Sequence, residues 1–161
     1  MVRFVRANYN WLENTSTGLI TEDFTICTVG KFNSLTGVQR VVDINDAADY
    51  LGRAFTFDTT LQLRINGGYQ AEYSYSDTTN FHYWTCKHIP TSRTIYEDGV
   101  SQNTSSDTKD GDNTSRYTIG DDGGFDYPAD IDIAEIAIYD SSLGDSDRAL
   151  IESYFAEKYA L

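Results

Sequence analysis

Short stretches of alternating apolar and polar residues are cut off repeatedly along this chain by Gly, Asn, Asp and Ser. They run from Phe24 to Phe32, Gly37 to Ile44, Ala54 to Phe57, Leu61 to Ile65, Gln70 to Tyr75, Tyr83 to Ile89, Arg93 to Tyr96, Tyr117 to Ile119 and Asp132 to Tyr139. Successive side chains of a strand point to opposite faces, so period-two alternation marks a strand with one face buried. Many such strands between turn signals predict an all-β sandwich. Asn66-Gly67-Gly68 and Asp98-Gly99 predict hairpins, because Asn, Asp and Gly accept the positive φ that tight two-residue turns require. No segment repeats at a period of roughly 20 to 50 residues, which argues against a propeller or solenoid.

The C-terminal segment follows a different rule. From Asp145 to Leu161 the apolar residues Leu150, Ile151, Tyr154, Phe155 and Tyr159 recur at helical spacing, with Glu152, Glu157 and Lys158 at polar positions. This predicts one amphipathic helix over about 145–159. Gly144 or Asp145 can cap it, and Asp145 and Asp147 place negative charge where the helix dipole favours it. Its apolar stripe needs a surface to cover, and the sheet is what the chain offers.

At 161 residues, with 25 Asp plus Glu against 12 Lys plus Arg, the chain reads as one acidic domain spanning 1–161. A hydrophobic content of 40% is enough for a sizeable core and excludes disorder. The net charge of −13 repels phosphate backbones, so nucleic acid is excluded as a partner. No apolar run is long enough for a leader or a membrane span, and the expected setting is a virion surface or the extracellular space. Cys27 and Cys86 each sit in an alternating stretch and are expected as buried free thiols. His82 and His88 lack cysteine neighbours for a zinc site and read as ordinary strand or loop residues.

Several segments then fall into a known order. Arg93-Thr-Ile-Tyr-Glu-Asp-Gly-Val100, Tyr117-Thr-Ile-Gly120, Asp132-Ile-Ala-Glu-Ile-Ala-Ile-Tyr-Asp140 and Ile151-Glu-Ser-Tyr-Phe-Ala-Glu-Lys-Tyr-Ala-Leu161 resemble the concanavalin A-like, laminin-G-like lectin/glucanase superfamily. Upstream, Phe24-Thr-Ile-Cys-Thr-Val is similar to the family's early inner strand, and Phe81-His-Tyr-Trp-Thr-Cys to the strand before the Tyr-x-Asp-Gly turn. The resemblance implies a jelly-roll sandwich of two antiparallel sheets with a short C-terminal helix. From Ile133 to Tyr139, Glu135 is the one carboxylate in an apolar run and needs partners. Gly99 and Gly120 are expected at positive φ.

Three constellations bear on chemistry. One branch of the resembled superfamily hydrolyses β-glucans with a Glu-x-Asp-x-x-Glu strand, and Asp130-Ile-Asp132-Ile-Ala-Glu135 is similar to it with Asp130 in place of the first Glu. A retaining hydrolase needs its two carboxyls about 5 Å apart, and a shortened nucleophile moves away from the anomeric carbon. The chain is therefore expected not to be an enzyme, with hydrolysis through Asp130, Asp132 and Glu135 as the alternative. Nine of the 18 aspartates lie from Asp98 to Asp132. Hard oxygen ligands suit Ca²⁺, and Asp121, Asp122 and Asp126 are the expected ligands should an ion bind. Finally, Tyr69, Tyr73 and Tyr75 share strand parity, with Phe125 and Tyr127 further on. These five form either a stacking platform for a glycan or neighbouring protein, or the packed inner layer of the sandwich.

The function expected from these features is a non-catalytic, surface-exposed recognition or structural module of a larger assembly, foremost a phage virion, with glycan binding as a further activity. A Met1 start and no leader favour this over the alternative, a carbohydrate-binding module of an extracellular protein or polysaccharide-degrading enzyme. The partners expected are protein neighbours in the assembly, surface glycans and further copies of the chain.

Overall fold

A computed structural model of the chain describes residues 1–8, 10–14, 23–46, 49–65, 68–106, 116–121 and 126–161. Its strands are β1 (Val2–Phe4), β2 (Leu12–Asn14), β3 (Phe24–Phe32), β4 (Gln39–Asp46), β5 (Asp49–Asp58), β6 (Thr60–Ile65), β7 (Gly68–Tyr73), β8 (His82–Ile89), β9 (Ser92–Glu97), β10 (Val100–Ser105), β11 (Arg116–Ile119) and β12 (Ile131–Tyr139), followed by helix α1 (Asp145–Tyr159). Among the described residues they form two six-stranded sheets, in the orders β1-β12-β3-β8-β9-β10 and β2-β11-β4-β5-β6-β7. The strand pairings are antiparallel, as the jelly-roll expectation requires.

Parity decides what each strand buries. On β3 the even positions Phe24, Ile26 and Phe32 join Trp84 and Ile95 against Phe55, Leu61 and Leu63 of the other sheet, closing the sandwich core. The odd positions Cys27 and Val29 face outward, yet they are fully buried, because α1 lays Phe155 over them beside Tyr83. Both faces of β3 are thus covered. Cys27 and Cys86 are free and buried on opposite faces, since Cys27 is paired with Thr85 and Cys86 with Ile26. Burial pushes the Cys27 thiol up to about 12, which keeps it protonated and unreactive.

The helix has the predicted bounds but a shifted inner face. Gly144 precedes it in an extended conformation with no side-chain cap, and Ala160 ends it in the left-handed region. Leu150 and Tyr154, read as part of the apolar stripe, are exposed, whereas Glu152 is buried with Phe155. The reason is local pairing: Arg148 Nη1 donates to Glu152 Oε2 at 2.5 Å, and the guanidinium lies 4.0 Å over the Tyr96 ring. The buried carboxylate therefore keeps a partner, and the inner face keeps Ile151, Phe155 and Tyr159 but adds Arg148 and Glu152 in place of Leu150 and Tyr154. Thr25 ties the approach to the helix down, donating to the Ser141 carbonyl and accepting the Leu143 N–H.

A β-bulge between Ile133 and Glu135 sets the chemistry of β12. Ile131, Ile133, Ile136 and Ile138 all pack inward, while Ala134, Ala137 and Tyr139 lie on the helix side. The extra residue resets the parity, so Asp132 and Glu135 both leave the core. Glu135 receives Lys158 Nζ at 2.9 Å, the Tyr159 hydroxyl at 2.9 Å and the Tyr154 hydroxyl at 3.2 Å, which supplies the partners its strand position demanded. Asp132 accepts Arg3 through both oxygens at 2.5 and 2.6 Å, fastening β1 to the sheet.

The Asp132 pair has a pH signature. The hydrogen bonds from Arg3, outweighing burial, hold the Asp132 carboxyl below the usual carboxylate range. A folded-state pKa below the unfolded one contributes stability above the unfolded value of about 3.9, and that stability is lost as pH falls through the folded value. Asp132→Asn is therefore expected to be less stable than the wild type at neutral pH, with the gap closing as pH drops below about 4. Urea unfolding at a series of pH values checks this, and a gap independent of pH would exclude the ion pair as its source.

Several strands differ from expectation, and β5 begins at Asp49, five residues before the expected Ala54. β7 ends at Tyr73, two residues early. β1, β2 and β10 were not foreseen; β2 and β10 are exposed along most of their length, so no apolar alternation marks them.

Candidate functional site

The side chains best arranged for chemistry converge where β8 begins and β9 ends. The Asp98-Gly99 turn joining β9 to β10 has positive φ at both residues, 48° and 79°, the primed geometry that matches strand twist. It is locked by the Asp98 N–H donating to the Tyr83 carbonyl at 2.9 Å and by Asp98 Oδ1 accepting the Tyr83 N–H at 3.0 Å. Its second oxygen, Oδ2, is thereby aimed at His82 Nδ1, 2.7 Å away. Glu97 Oε1 lies 3.4 Å from the same nitrogen.

The opposite ring nitrogen meets a third carboxylate. In the segment between β7 and β8, Asp77 Oδ1 accepts the Thr79 N–H at 2.6 Å and the Asn80 N–H at 3.2 Å, closing an Asx turn. Asp77 Oδ2 then stands 3.2 Å from His82 Nε2. Underneath, the imidazole rests against Trp84 at 5.9 Å and edge-on to Tyr75 at 5.9 Å. Trp84 Nε1 donates to the Tyr73 hydroxyl at 3.1 Å, and that hydroxyl lies near enough to Glu97 to oppose the rise of its carboxyl. His82 and Glu97 are mostly covered, with side-chain exposures of 17% and 16%, whereas Asp77 and Asp98 reach solvent at 30% and 43%.

The electrostatics follow from this packing. Burial disfavours the imidazolium, but the hydrogen bonds to Asp98 and Asp77 outweigh it, so His82 is raised above its ordinary value. Burial pushes Glu97 up, with Asp98 and Asp77 adding to the shift and the Tyr73 hydrogen bond opposing it. Asp77 moves the other way, held far below the carboxylate range by the amide of Asn80 and the donors of Thr79. Three carboxylates around one imidazole leave the site net negative whether or not the ring is charged.

The predicted site residues fare differently. Tyr73 and Tyr75 share one face, but it is the inner one: Tyr75 is 7% exposed and packs against Phe32 and Trp84. They are the packed layer and floor of the rim, not an open platform. The side chain of Tyr69 and the whole of Phe125 lie outside the described residues. Tyr127 is half-buried beneath the Arg40 guanidinium, 5.0 Å from the ring centroid. Asp121 is fully buried and its Oδ1 accepts the Tyr127 N–H at 3.3 Å, so it holds the chain's own backbone; Asp126 is exposed, and Asp122 lies outside the described residues. Of the glucanase-like set, Asp132 and Glu135 are both engaged in ion pairs.

The cluster centred on His82 escaped the sequence reading. Its one readable signal was Glu97-Asp98 at a hairpin turn beside a strand opening on histidine. The pairing of Trp84 with Glu97 that joins them is a long-range fact.

Comparison with known proteins agrees with this architecture. The family model of the concanavalin A-like lectin/glucanases superfamily matches residues 6–147. A search of curated proteins finds no match. Among solved structures, NanB with Optactamide superposes with a TM-score of 0.73 at 13% identity, covering 92% of this chain and 26% of that one. The binding domain of botulinum neurotoxin DC in complex with SialylT gives 0.67 at 14% identity, covering 89% and 39%. Trypanosoma rangeli sialidase with the inhibitor DANA gives 0.60 at 12% identity, covering 81% and 22%. The chain thus spans well under half the length of each, and at these identities the likeness is one of fold. From its two-sheet sandwich, its C-terminal helix and a family match over most of its length, the chain belongs to the concanavalin A-like lectin/glucanase superfamily.

Proposed function

We propose that this domain is a non-catalytic glycan-recognition module displayed on a larger assembly, with the rim around His82 as its contact site. The observation that carries the reading is a set of polar groups held ready by their neighbours, with the carboxylates of Asp77 and Asp98 still open to solvent. Sugar hydroxyls donate to such carboxylates, and few but well-oriented polar groups are what fix a small ligand. A relative of the same fold was solved as a toxin binding domain with SialylT, which supports glycans as the ligand class.

The charge narrows the ligand. Sialylated glycans carry a carboxylate, and a net-negative rim on a chain of charge −13 disfavours them. The ligands proposed are therefore neutral or amino-bearing saccharides. The assembly proposed is a virion, where strong like charge would keep crowded copies from adhering to one another. The non-catalytic reading draws on the engagement of Asp132 and Glu135 by Arg3, Lys158 and Tyr159.

A glycan array probed with the full chain tests the proposal. Signal on neutral or amino-sugar glycans that falls in Asp77→Asn supports it, while signal confined to sialylated glycans overturns it.

A further inference from the structure

We propose that His82, Glu97 and Asp98 bind one first-row transition-metal dication, Zn²⁺ or Mn²⁺, with Asp77 orienting the histidine from behind. The donor atoms of His82, Glu97 and Asp98 lie within 4.8 Å of one another. Ligand bonds of about 2.0 to 2.2 Å place neighbouring donors roughly 3 to 4 Å apart around such an ion. His82 Nδ1 already faces Asp98 Oδ2 at 2.7 Å and Glu97 Oε1 at 3.4 Å. Only a small opening between the imidazole and Asp98 is needed to admit the metal.

The surroundings complete the arrangement. A metal-bound histidine donates its other N–H to an outer carboxylate, which fixes the tautomer. Asp77 Oδ2 stands 3.2 Å from Nε2, and Asp77 is itself anchored by Thr79 and Asn80. With the proton on Nε2, the Nδ1 lone pair points at Glu97 and Asp98. Asp98 spends its other oxygen on the Tyr83 N–H, which leaves Oδ2 free to face the ion.

A second, independent observation lies beside the same space. Tyr75 is 7% exposed and its hydroxyl has no hydrogen-bond partner among the described residues. Its ring stands edge-on to His82, near enough to Glu97, Asp77 and Asp98 for their charges to act on the hydroxyl. An ion with a bound water would give this buried hydroxyl the partner that buried polar groups ordinarily have. A dication also offsets the repulsion of carboxylates crowded about one imidazole. One imidazole with two carboxylates is a small mixed donor set that suits Zn²⁺ through its nitrogen and Mn²⁺ through its oxygens, and is too small for Ca²⁺, which takes about six to eight oxygen ligands. This inference stands apart from the glycan proposal, because ion binding is measured with no saccharide present.

The test is titration of the full chain, stripped with EDTA, with ZnCl₂, MnCl₂ and CaCl₂, followed by calorimetry and by Tm. The expected result is one Zn²⁺ or Mn²⁺ per chain and a raised Tm, with no saturable Ca²⁺ binding. Asp77→Asn should weaken the affinity about 10- to 100-fold at unchanged stoichiometry. Loss of binding in His82→Gln, and independently in Glu97→Gln, which keeps the side-chain shape, supports the assignment. Absence of stoichiometric binding by the folded chain, retention of full affinity in both variants, or equal affinity for Ca²⁺ overturns it.

Discussion

Replacing Trp84 with Ala is expected to remove about 4 kcal/mol of folding stability, within the range for large-to-small changes of a buried aromatic. Trp84 is fully buried and bridges the two layers, with ring centroids 5.7 Å from Phe32 on one sheet and 5.8 Å from Phe55 on the other. The cavity left cannot collapse easily, because its walls are strands paired on both sides. The loss also travels to the rim. Trp84 Nε1 donates to the Tyr73 hydroxyl at the floor of the rim, and the indole supports the His82 ring. Trp84→Phe, which keeps most of the volume but not the N–H, should cost about 1 to 2 kcal/mol. Urea unfolding followed by circular dichroism checks both, and a loss below about 1 kcal/mol for Trp84→Ala would mean that the indole is not the keystone of the core.

Gly120→Ala is expected to cost about 3 kcal/mol through two effects that add. Gly120 has φ +90°, where an L side chain is strained, and a Cβ there would lie 2.1 Å from Cδ1 of the Phe4 ring, itself 2% exposed. The backbone cannot swing away. Gly120 N–H donates to the Val41 carbonyl at 3.0 Å, and its own carbonyl accepts the Ala129 N–H at 2.8 Å. Gly144→Ala is the matched control, since Gly144 has φ −62° and a Cβ there would meet nothing nearer than 3.9 Å. It should leave stability within about 0.5 kcal/mol of the wild type. Equal losses at the two sites would contradict the steric account.

The fold was largely legible because it is written in local signals. The Asp98-Gly99 turn, the positive φ of Gly120 and the helix from Asp145 each depend on a few neighbouring residues. What failed was whatever depended on a partner far along the chain. β10 is Val-Ser-Gln-Asn-Thr-Ser, exposed on the sheet's edge, and only its pairing with β9 makes it a strand. Period two correctly put Tyr73 and Tyr75 on one face but cannot say which face is the core. Glu152 looked like a solvent position until Arg148 joined it in the interior.

The site was less legible for the same reason. Asp77, His82, Glu97 and Asp98 are ordinary residues of a loop, a strand start and a turn when taken singly. Their meaning comes from the antiparallel pairing of β8 with β9, which sets Trp84 opposite Glu97 and brings both ends to one rim. The aspartates that drew attention by number, Asp121 and Asp126, are respectively a backbone-holding buried group and an exposed one.

Glycan contact is proposed for the rim around His82. Its most direct test is calorimetric titration of the wild type and Asp77→Asn with a matched pair of oligosaccharides, one neutral and one bearing a terminal sialic acid. The wild type is expected to bind the neutral sugar more tightly, and Asp77→Asn to lose about tenfold or more, the loss expected when a charged hydrogen-bond acceptor is removed. Unchanged affinity in Asp77→Asn, or tighter binding of the sialylated sugar by the wild type, would contradict the account.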